Sequence, residues 1–418
     1  MMSRSQRILG LDIGSYSVKA VELTRTGERF SITGYGQTDI NSAGTLKDAI
    51  VAVLREGRFK SKQVASSVSG RSVIVRYINT PFMKAEDLKA SMRFEAEKYI
   101  PFEVSEVILD CVPLDAKPTE TGEMRVVLVA VKKDVVNEHV RLLQEAGLYP
   151  CIVDVDCFAL GNSFELASQL GGESVALESV TPQAASAAPQ AQEAAGEEPA
   201  GKESAADEDV GPAAAQAKAE PDQEVEGSAA DMPQAESAPG PPPVPAAAPV
   251  PQAPRGTVFA LVDIGSQKTN INIVEGANSY FTREVYIGGE DMTEAVTKHL
   301  GIPPAEAETV KRNGSREVEV LEAVAQTLDD LANEIFLSFD YFENQFDREI
   351  KIVYLSGGGA RLKGIQGALA QTLAREVRMW DPIAGYDVSL GQQQEARLRE
   401  NAPQLAVALG LASRLRKV

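Results

Sequence analysis

"LDIGSYSVKAVEL", Leu11 to Leu23, is answered much later in the chain by "LVDIGSQKTNINIV", Leu261 to Val274. Each copy sets apolar, β-branched runs on both sides of Asp-Ile-Gly-Ser, which reads as a strand, a tight turn and a returning strand. A single such hairpin is more often a plain turn than a binding element. Two of them, each opening a segment of similar make-up, point to a duplicated α/β domain.

The segments that follow run in parallel. After the first hairpin, "RFSITGYGQT" continues as a third strand, "TLKDAIVAVLREG" sets Leu46, Ile50, Val53 and Leu54 at helical spacing, and "QVASSVSG" is again a strand. After the second come "SYFTREVYIGG", the helical "GEDMTEAVTKHLG", a long helix and the strand "IKIVYLSGGG". In the long helix Leu321, Val324, Leu328, Leu331, Ile335, Phe339, Phe342 and Phe346 recur at steps of three and four. The stripe suits burial against the second domain, and a coiled-coil seam has the same spacing. The first segment is interrupted by a helix between Pro81 and Pro101, with Leu88, Met92 and Ala96 on one stripe. Two strands, "EVILDCVPLD" and "MRVVLVAVKK", and a helix that Asp134 can cap complete an inserted subdomain.

Charge and composition limit the function. The formal net charge of -19 disfavours nucleic acid, whose phosphates need clustered Lys and Arg. Most of that charge lies between Gly171 and Gly256, where fifteen acidic residues face Lys202, Lys218 and Arg255. That stretch has no aromatic residue and no Ile, so it cannot offset roughly 1 to 2 kcal/mol of backbone entropy per residue and is expected to be disordered. Its end, "APGPPPVPAAAPVPQAP", favours extended polyproline geometry, as a solvated tether or a recognition arm. Three cysteines, Cys111, Cys151 and Cys157, without a C-x-x-C pair fit a reducing compartment with no metal cluster. No signal peptide and no membrane span are read, so the expected location is cytoplasmic, with any membrane association through partners.

The repeated turn has a chemistry. Gly14 permits close approach of backbone N–H groups, the Ser15 hydroxyl adds a donor, and Lys19 adds positive charge where phosphate oxygens would sit. Asp12 suits magnesium, largely through water. In the second copy Gly265, Ser266 and Thr269 take the donor role, and Asp263 is the candidate for magnesium or for orienting water. Gly357, Gly358 and Gly359 end a strand, where bare backbone could lie against a flat base or serve a turn with positive φ. It is not a P-loop, because Ile365 stands where Lys is required.

These motifs together resemble the actin, sugar-kinase and chaperone ATPase superfamily. Within it, "GLDIGSYSVKAVEL", "RFEAEKYIPF", "DVDCFALGNSFE", "LVDIGSQKTNINIV" and "YLSGGGARLKGI" resemble the PilM family of type IV pilus assembly proteins. The resemblance implies an actin-like two-domain α/β fold, with subdomain 1A at 1–76 and 151–170 and a 1C-type insert at 77–150. The linker occupies 171–256, subdomain 2A 257–290 and 351–418, and a 2B-type subdomain 291–350. It implies ATP with Mg2+ between the halves, a first phosphate motif at Asp12, Gly14, Ser15 and Lys19, a second at Asp263, Gly265, Ser266 and Thr269, with Asp12 and Asp263 as the metal and catalytic residues, and an adenosine motif at Gly357, Gly358 and Gly359. Glu334 and Ser338 are implied on the nucleoside side, where relatives commonly carry a basic residue before that Ser and this chain has Leu337. The implied partners are the cytoplasmic N-terminal tail of PilN, with Phe94, Tyr99 and Phe102 as apolar anchors, other pilus components and motor ATPases, within a ring at the inner membrane. At most slow ATP hydrolysis is expected.

Two other readings stand beside this one. A small-molecule kinase needs a general base, for which Asp154 and Asp156 are the only obvious candidates, although a strand end and a helix cap explain them better. An FtsA-like division protein would end in a membrane-binding helix, whereas "QLAVALGLASRLRKV" reads as a last packed helix.

Overall fold

The computed structural model describes residues 5–114, 118, 121–171, 256–276 and 278–416; the expected linker, apart from Gly171 and Gly256, lies outside the described residues. In chain order the first half has β1 (Gln6–Ile13), β2 (Ser17–Thr26), β3 (Arg29–Asp39), a single turn α1 (Ile40–Ala43), α2 (Leu46–Gly57), β4 (Gln63–Val68) and β5 (Val73–Pro81). It continues with α3 (Ala85–Glu95), β6 (Val107–Pro113), β7 (Glu123–Lys132), α4 (Lys133–Glu145), β8 (Tyr149–Val155) and α5 (Asp156–Gln169). The second half has β9 (Val258–Ile264), β10 (Thr269–Glu275), β11 (Asn278–Val285), α6 (Gly289–Leu300), α7 (Pro304–Asn313), α8 (Glu317–Phe346) and β12 (Ile350–Ser356). Then come α9 (Ile365–Leu373), β13 (Glu376–Met379), β14 (Asp387–Val388), α10 (Gln392–Glu400) and α11 (Ala406–Ala412).

The two large sheets repeat one plan. Their orders are β14-β3-β2-β1-β4-β8 and β11-β10-β9-β12-β13, in each case an antiparallel three-stranded meander joined to parallel strands through its first strand. β1 and β9 therefore lie centrally, which explains why their residues are buried on both faces rather than alternately. The duplication read from the repeated tetrapeptide is a duplication of sheet topology.

Helix α8 is one unbroken helix of 30 residues. Val320, Val324, Leu328, Leu331, Ile335, Phe339 and Phe342 are buried in the second core, so the stripe serves that core and not a coiled coil. Each such side chain contributes about 1.5 to 3 kcal/mol on burial. Asp134 lies in the first turn of α4 and accepts the N–H of Val135; the residue at the cap position is Lys132.

Two boundaries differ from expectation. The insert begins with β5 at Val73, because β5, β7 and β6 form a separate three-stranded sheet on which Leu88 and Met92 of α3 pack. More consequentially, 351–418 is not one piece of the second domain. β12 and β13 stay there, but β14 pairs with β3, and α10 and α11 pack in the core of the first half. The cause is steric. A Cβ on Gly10 of β1 would stand 2.0 Å from the carbonyl oxygen of Ala408, and one on Gly410 would stand 1.7 Å from that of Ala159 on α5. The Ala- and Gly-rich α11 can thus lie against β1 and α5 at backbone distance, and all seven of its residues are buried. Among the described residues no helix is long and apolar enough to cross a membrane.

Candidate functional site

The two Asp-Ile-Gly-Ser turns open onto one cleft of about 1100 Å³, a generous volume for a small-molecule site. In the first turn the N–H of Gly14 donates to the carbonyl of Ser17 at 3.1 Å; in the second, that of Gly265 donates to the carbonyl of Lys268 at 2.8 Å. The carbonyls of Gly265 and Ser266 then accept the N–H groups of Gly289 and Glu290, which fixes the second turn against the start of α6.

Electrostatics separate the two copies. The Asp12 carboxylate accepts a hydrogen bond from the Lys19 ammonium at 2.9 Å. Burial disfavours the Lys19 charge, but the adjacent Asp12 outweighs it, and the ammonium is held above its ordinary value. Asp263 accepts the hydroxyl of Ser356 at 2.8 Å. Burial pushes its carboxyl up to about 6, against the opposing Ser356 hydrogen bond and with help from the neighbouring Asp12 charge.

Of the expected residues, Asp12, Gly14, Ser15, Lys19, Asp263, Gly265, Ser266, Gly358 and Gly359 line this cleft. Four need correction. Thr269 is fully buried, with its hydroxyl donated to the carbonyl of Ile287 at 2.7 Å. Gly357 has φ +92°, and a Cβ there would lie 2.3 Å from the carbonyl oxygen of Ile264, so it serves the turn and the packing of β12 on β9. Glu334 and Ser338 lie on α8 against β11, where Glu334 pairs with Arg283 and the Ser338 hydroxyl donates to the Glu334 carbonyl at 2.9 Å. The expected anchors also divide: Phe94 is 84% exposed, whereas Tyr99 and Phe102 pack on the core of the insert.

In place of Glu334 and Ser338, α7 brings Glu308, Lys311 and Arg312 to the cleft, and the loop after β12 brings Arg361. The buried Lys311 ammonium donates to the Gly289 carbonyl at 2.7 Å and to Thr293 and Glu308 at 2.6 Å, which ties α7 to the start of α6. Arg312 lies over the ring of Tyr16 from the opposite half, 5.9 Å from its centroid. Burial and the nearby Arg312 charge lower the pKa of Arg361. Both planar guanidiniums thus line the cleft.

One ion-pair network bridges the halves beside the cleft. Lys268 donates to Asp156 at the start of α5 at 2.6 Å and to Glu284 on β11 at 2.7 Å. Asn270 donates to Asp156 at 3.1 Å, and Asp154 is paired with Arg414 at 3.1 Å.

The residues present fit a magnesium-bound polyphosphate. Among the described residues no group of three or more His, Cys, Asp or Glu forms a metal cage, while Asp12 and Asp263 face one cleft from opposite halves. Two carboxylates with water and phosphate completing the shell suit Mg2+. A Cβ on Gly265 would meet the Lys268 carbonyl oxygen at 2.7 Å, so the turn needs glycine to bring its N–H groups to the cleft.

Comparison with known proteins gives the relationship. Residues 10–181 and 246–416 match the family described as type IV pilus assembly protein PilM. Among solved structures the chain is similar to that of a PilM-PilN type IV pilus biogenesis complex, at 24% identity, 98% of each chain covered and a TM-score of 0.67. More distant similarities are to the ethanolamine utilization protein EutJ from Carboxydothermus hydrogenoformans, at 13% identity, covering 98% of this chain and 89% of that one with a TM-score of 0.45, and to an archaeal actin homolog, at 12%, 99%, 100% and 0.40. The duplicated two-sheet α/β architecture is an actin-like fold.

Proposed function

The chain belongs to the type IV pilus assembly protein PilM family, and from that premise we propose that it is an ATP-binding scaffold of the pilus assembly complex at the inner membrane. The observation that carries the reading is the convergence of two glycine turns, from two separate sheets, on one cleft that also holds Lys19, Lys311, Arg312 and Arg361. In this reading the N–H groups that follow the turn glycines, those of Ser15 and Ser266, hold the phosphates together with Lys19, while the N–H groups of Gly14 and Gly265 close the turns. Asp12 and Asp263 hold the water shell of Mg2+, and Gly358, Gly359, Arg312 and Arg361 flank the base. When bound there, magnesium would supply positive charge against the phosphates, held through water by Asp12 from one half and Asp263 from the other.

Binding is favoured over turnover. Asp156 is held by Lys268 and Asn270, and Asp154 by Arg414, so neither supports the kinase alternative, which needs a base available to an acceptor hydroxyl. The partner in this reading is the cytoplasmic tail of PilN, supported by the similarity to a PilM-PilN complex, with Phe94 as the exposed anchor candidate. Assembly into a ring with other pilus components and motor ATPases belongs to the same proposal.

Isothermal titration with ATP and magnesium tests the cleft. The wild type should bind and Asp12→Ala should lose at least tenfold in affinity; equal affinity removes the reading. Titration with a synthetic PilN tail peptide tests the partner, and Phe94→Ala should weaken it severalfold.

A further inference from the structure

Helix α8 buries one stripe in the second core and turns its other face to solvent. There Phe336 is 55%, Leu337 54% and Tyr341 45% exposed. Tyr341 leans against Phe281 of β11, with ring centroids 5.4 Å apart. Leu337 and Tyr341 are one turn apart and share a face, and Phe336 stands about 100° round the helix from Leu337, on the same solvent side. Leu337 is not among the residues that line the cleft.

The patch sits in an unusual field. In its 30 residues α8 has eight Asp and Glu and no Lys or Arg. Glu319, Glu334 and Glu343 are answered by Arg316, Arg283 and Arg375. Around the patch, Asp330 and Asp340 accept amide hydrogens from Gln326 and Asn344, both at 2.9 Å, rather than a cation, and Asp329 is exposed.

We propose that this face docks a basic, amphipathic helical segment of a partner protein, whose apolar side covers Phe336, Leu337 and Tyr341 and whose Lys or Arg side chains meet Asp329, Asp330 and Asp340. Charge selects that occupant. An anionic lipid surface or a nucleic acid is repelled by the carboxylates. A second copy that presents this same acidic face is a poorer match than a cationic segment. Segments of this chemistry flank membrane spans on the cytoplasmic side, where Lys and Arg accumulate. The proposal does not depend on what fills the cleft.

The test uses the full chain and a fluorescent peptide of about 18 residues, roughly five helical turns, that repeats lysine and leucine at helical spacing, followed by anisotropy at low and physiological ionic strength. Leu337→Ser combined with Tyr341→Ser should weaken binding about tenfold or more. Asp329→Asn combined with Asp330→Asn should weaken it about threefold and flatten its salt dependence. Tyr149→Ser, which removes a ring 66% exposed on β8, should change nothing. Melting temperatures equal to wild type verify folding of each variant. Unchanged affinity in the Leu337 and Tyr341 variant, or an equal loss in the Tyr149 variant, overturns the proposal. So does a concentration-dependent dimer in sedimentation that the same double substitution dissolves, since that assigns the face to a second copy.

Discussion

The two Asp-Ile-Gly-Ser hairpins share a turn but not an electrostatic design. In the first, Asp12 stands directly across the strand pair from Lys19; in the second, the equivalent position opposite Asp263 is Asn270. The second hairpin carries its cation two residues earlier, at Lys268, and turns it away to Asp156 and Glu284. One jaw is thus neutralised within itself, while the other keeps a carboxylate whose charge is costly until something positive arrives. The same tetrapeptide carries a carboxylate paired with its own lysine on one side and a buried carboxylate held by a serine hydroxyl on the other.

The largest test of that contrast is Lys268→Ala. It leaves Asp156 and Glu284, with side chains 10% and 21% exposed, without their shared cation. A loss of about 2 to 4 kcal/mol is expected in denaturant unfolding. Lys19→Ala should cost less, about 1 to 2 kcal/mol, because it strands one carboxylate, Asp12, where Lys268→Ala strands two; the reverse order would break the comparison. Next comes the turn glycine. A Cβ on Gly265 meets backbone at 2.7 Å, whereas one on Gly14 meets the Ser17 carbonyl oxygen at 3.1 Å and the movable Lys19 ammonium at 3.3 Å. Gly265→Ala should therefore cost about 1 to 3 kcal/mol and Gly14→Ala under about 1, both read from melting curves.

Asp263→Asn has the opposite sign. The folded protein holds the Asp263 proton up to about pH 6, above the ordinary value of 3.8. Ionising it therefore costs stability progressively between those values, and the full cost persists above them. The Asn variant should gain about 1 to 2 kcal/mol at neutral pH, less than the roughly 3 that two pK units give for a wholly sealed group. The gain should vanish below pH 3.8. A variant no more stable than wild type at pH 8 would show that Asp263 is already relieved. The smallest expected effect is on the wild type's affinity for magnesium nucleotide, which should fall a fewfold as titrations are taken from pH 7 down through the Asp263 pKa of about 6.

What could be read in advance follows from locality. The hairpins, the stripe of α8 and the glycine strand depend on neighbours in sequence, so spacing revealed them. Glu308, Lys311 and Arg312 did not stand out because charges three and four apart on a short helix look like any solvated face. One signal was available: Lys311 shares the buried side of α7 with Ala307 and Val310, an expensive place for a lysine without a task. Thr269 lies in the repeated motif, yet the register of β10 turns its hydroxyl to Ile287. No local pattern could say that α11 packs on β1, because that contact depends on glycines hundreds of residues apart.

That last contact also bears on how the protein comes into being. Ile8, Val21 and Leu23 share a core with Leu398, Leu405 and Leu415, so the earliest strands made are completed by the latest helices. At roughly 5 to 20 residues per second of synthesis, β1 waits on the order of 20 to 80 s for α11. During that interval the inserted subdomain, whose core draws only on residues between Ile74 and Ala130, can fold on its own. The core of the first half, by contrast, stays incomplete until the last helices have been made, so its apolar strands are without their native partners on the growing chain.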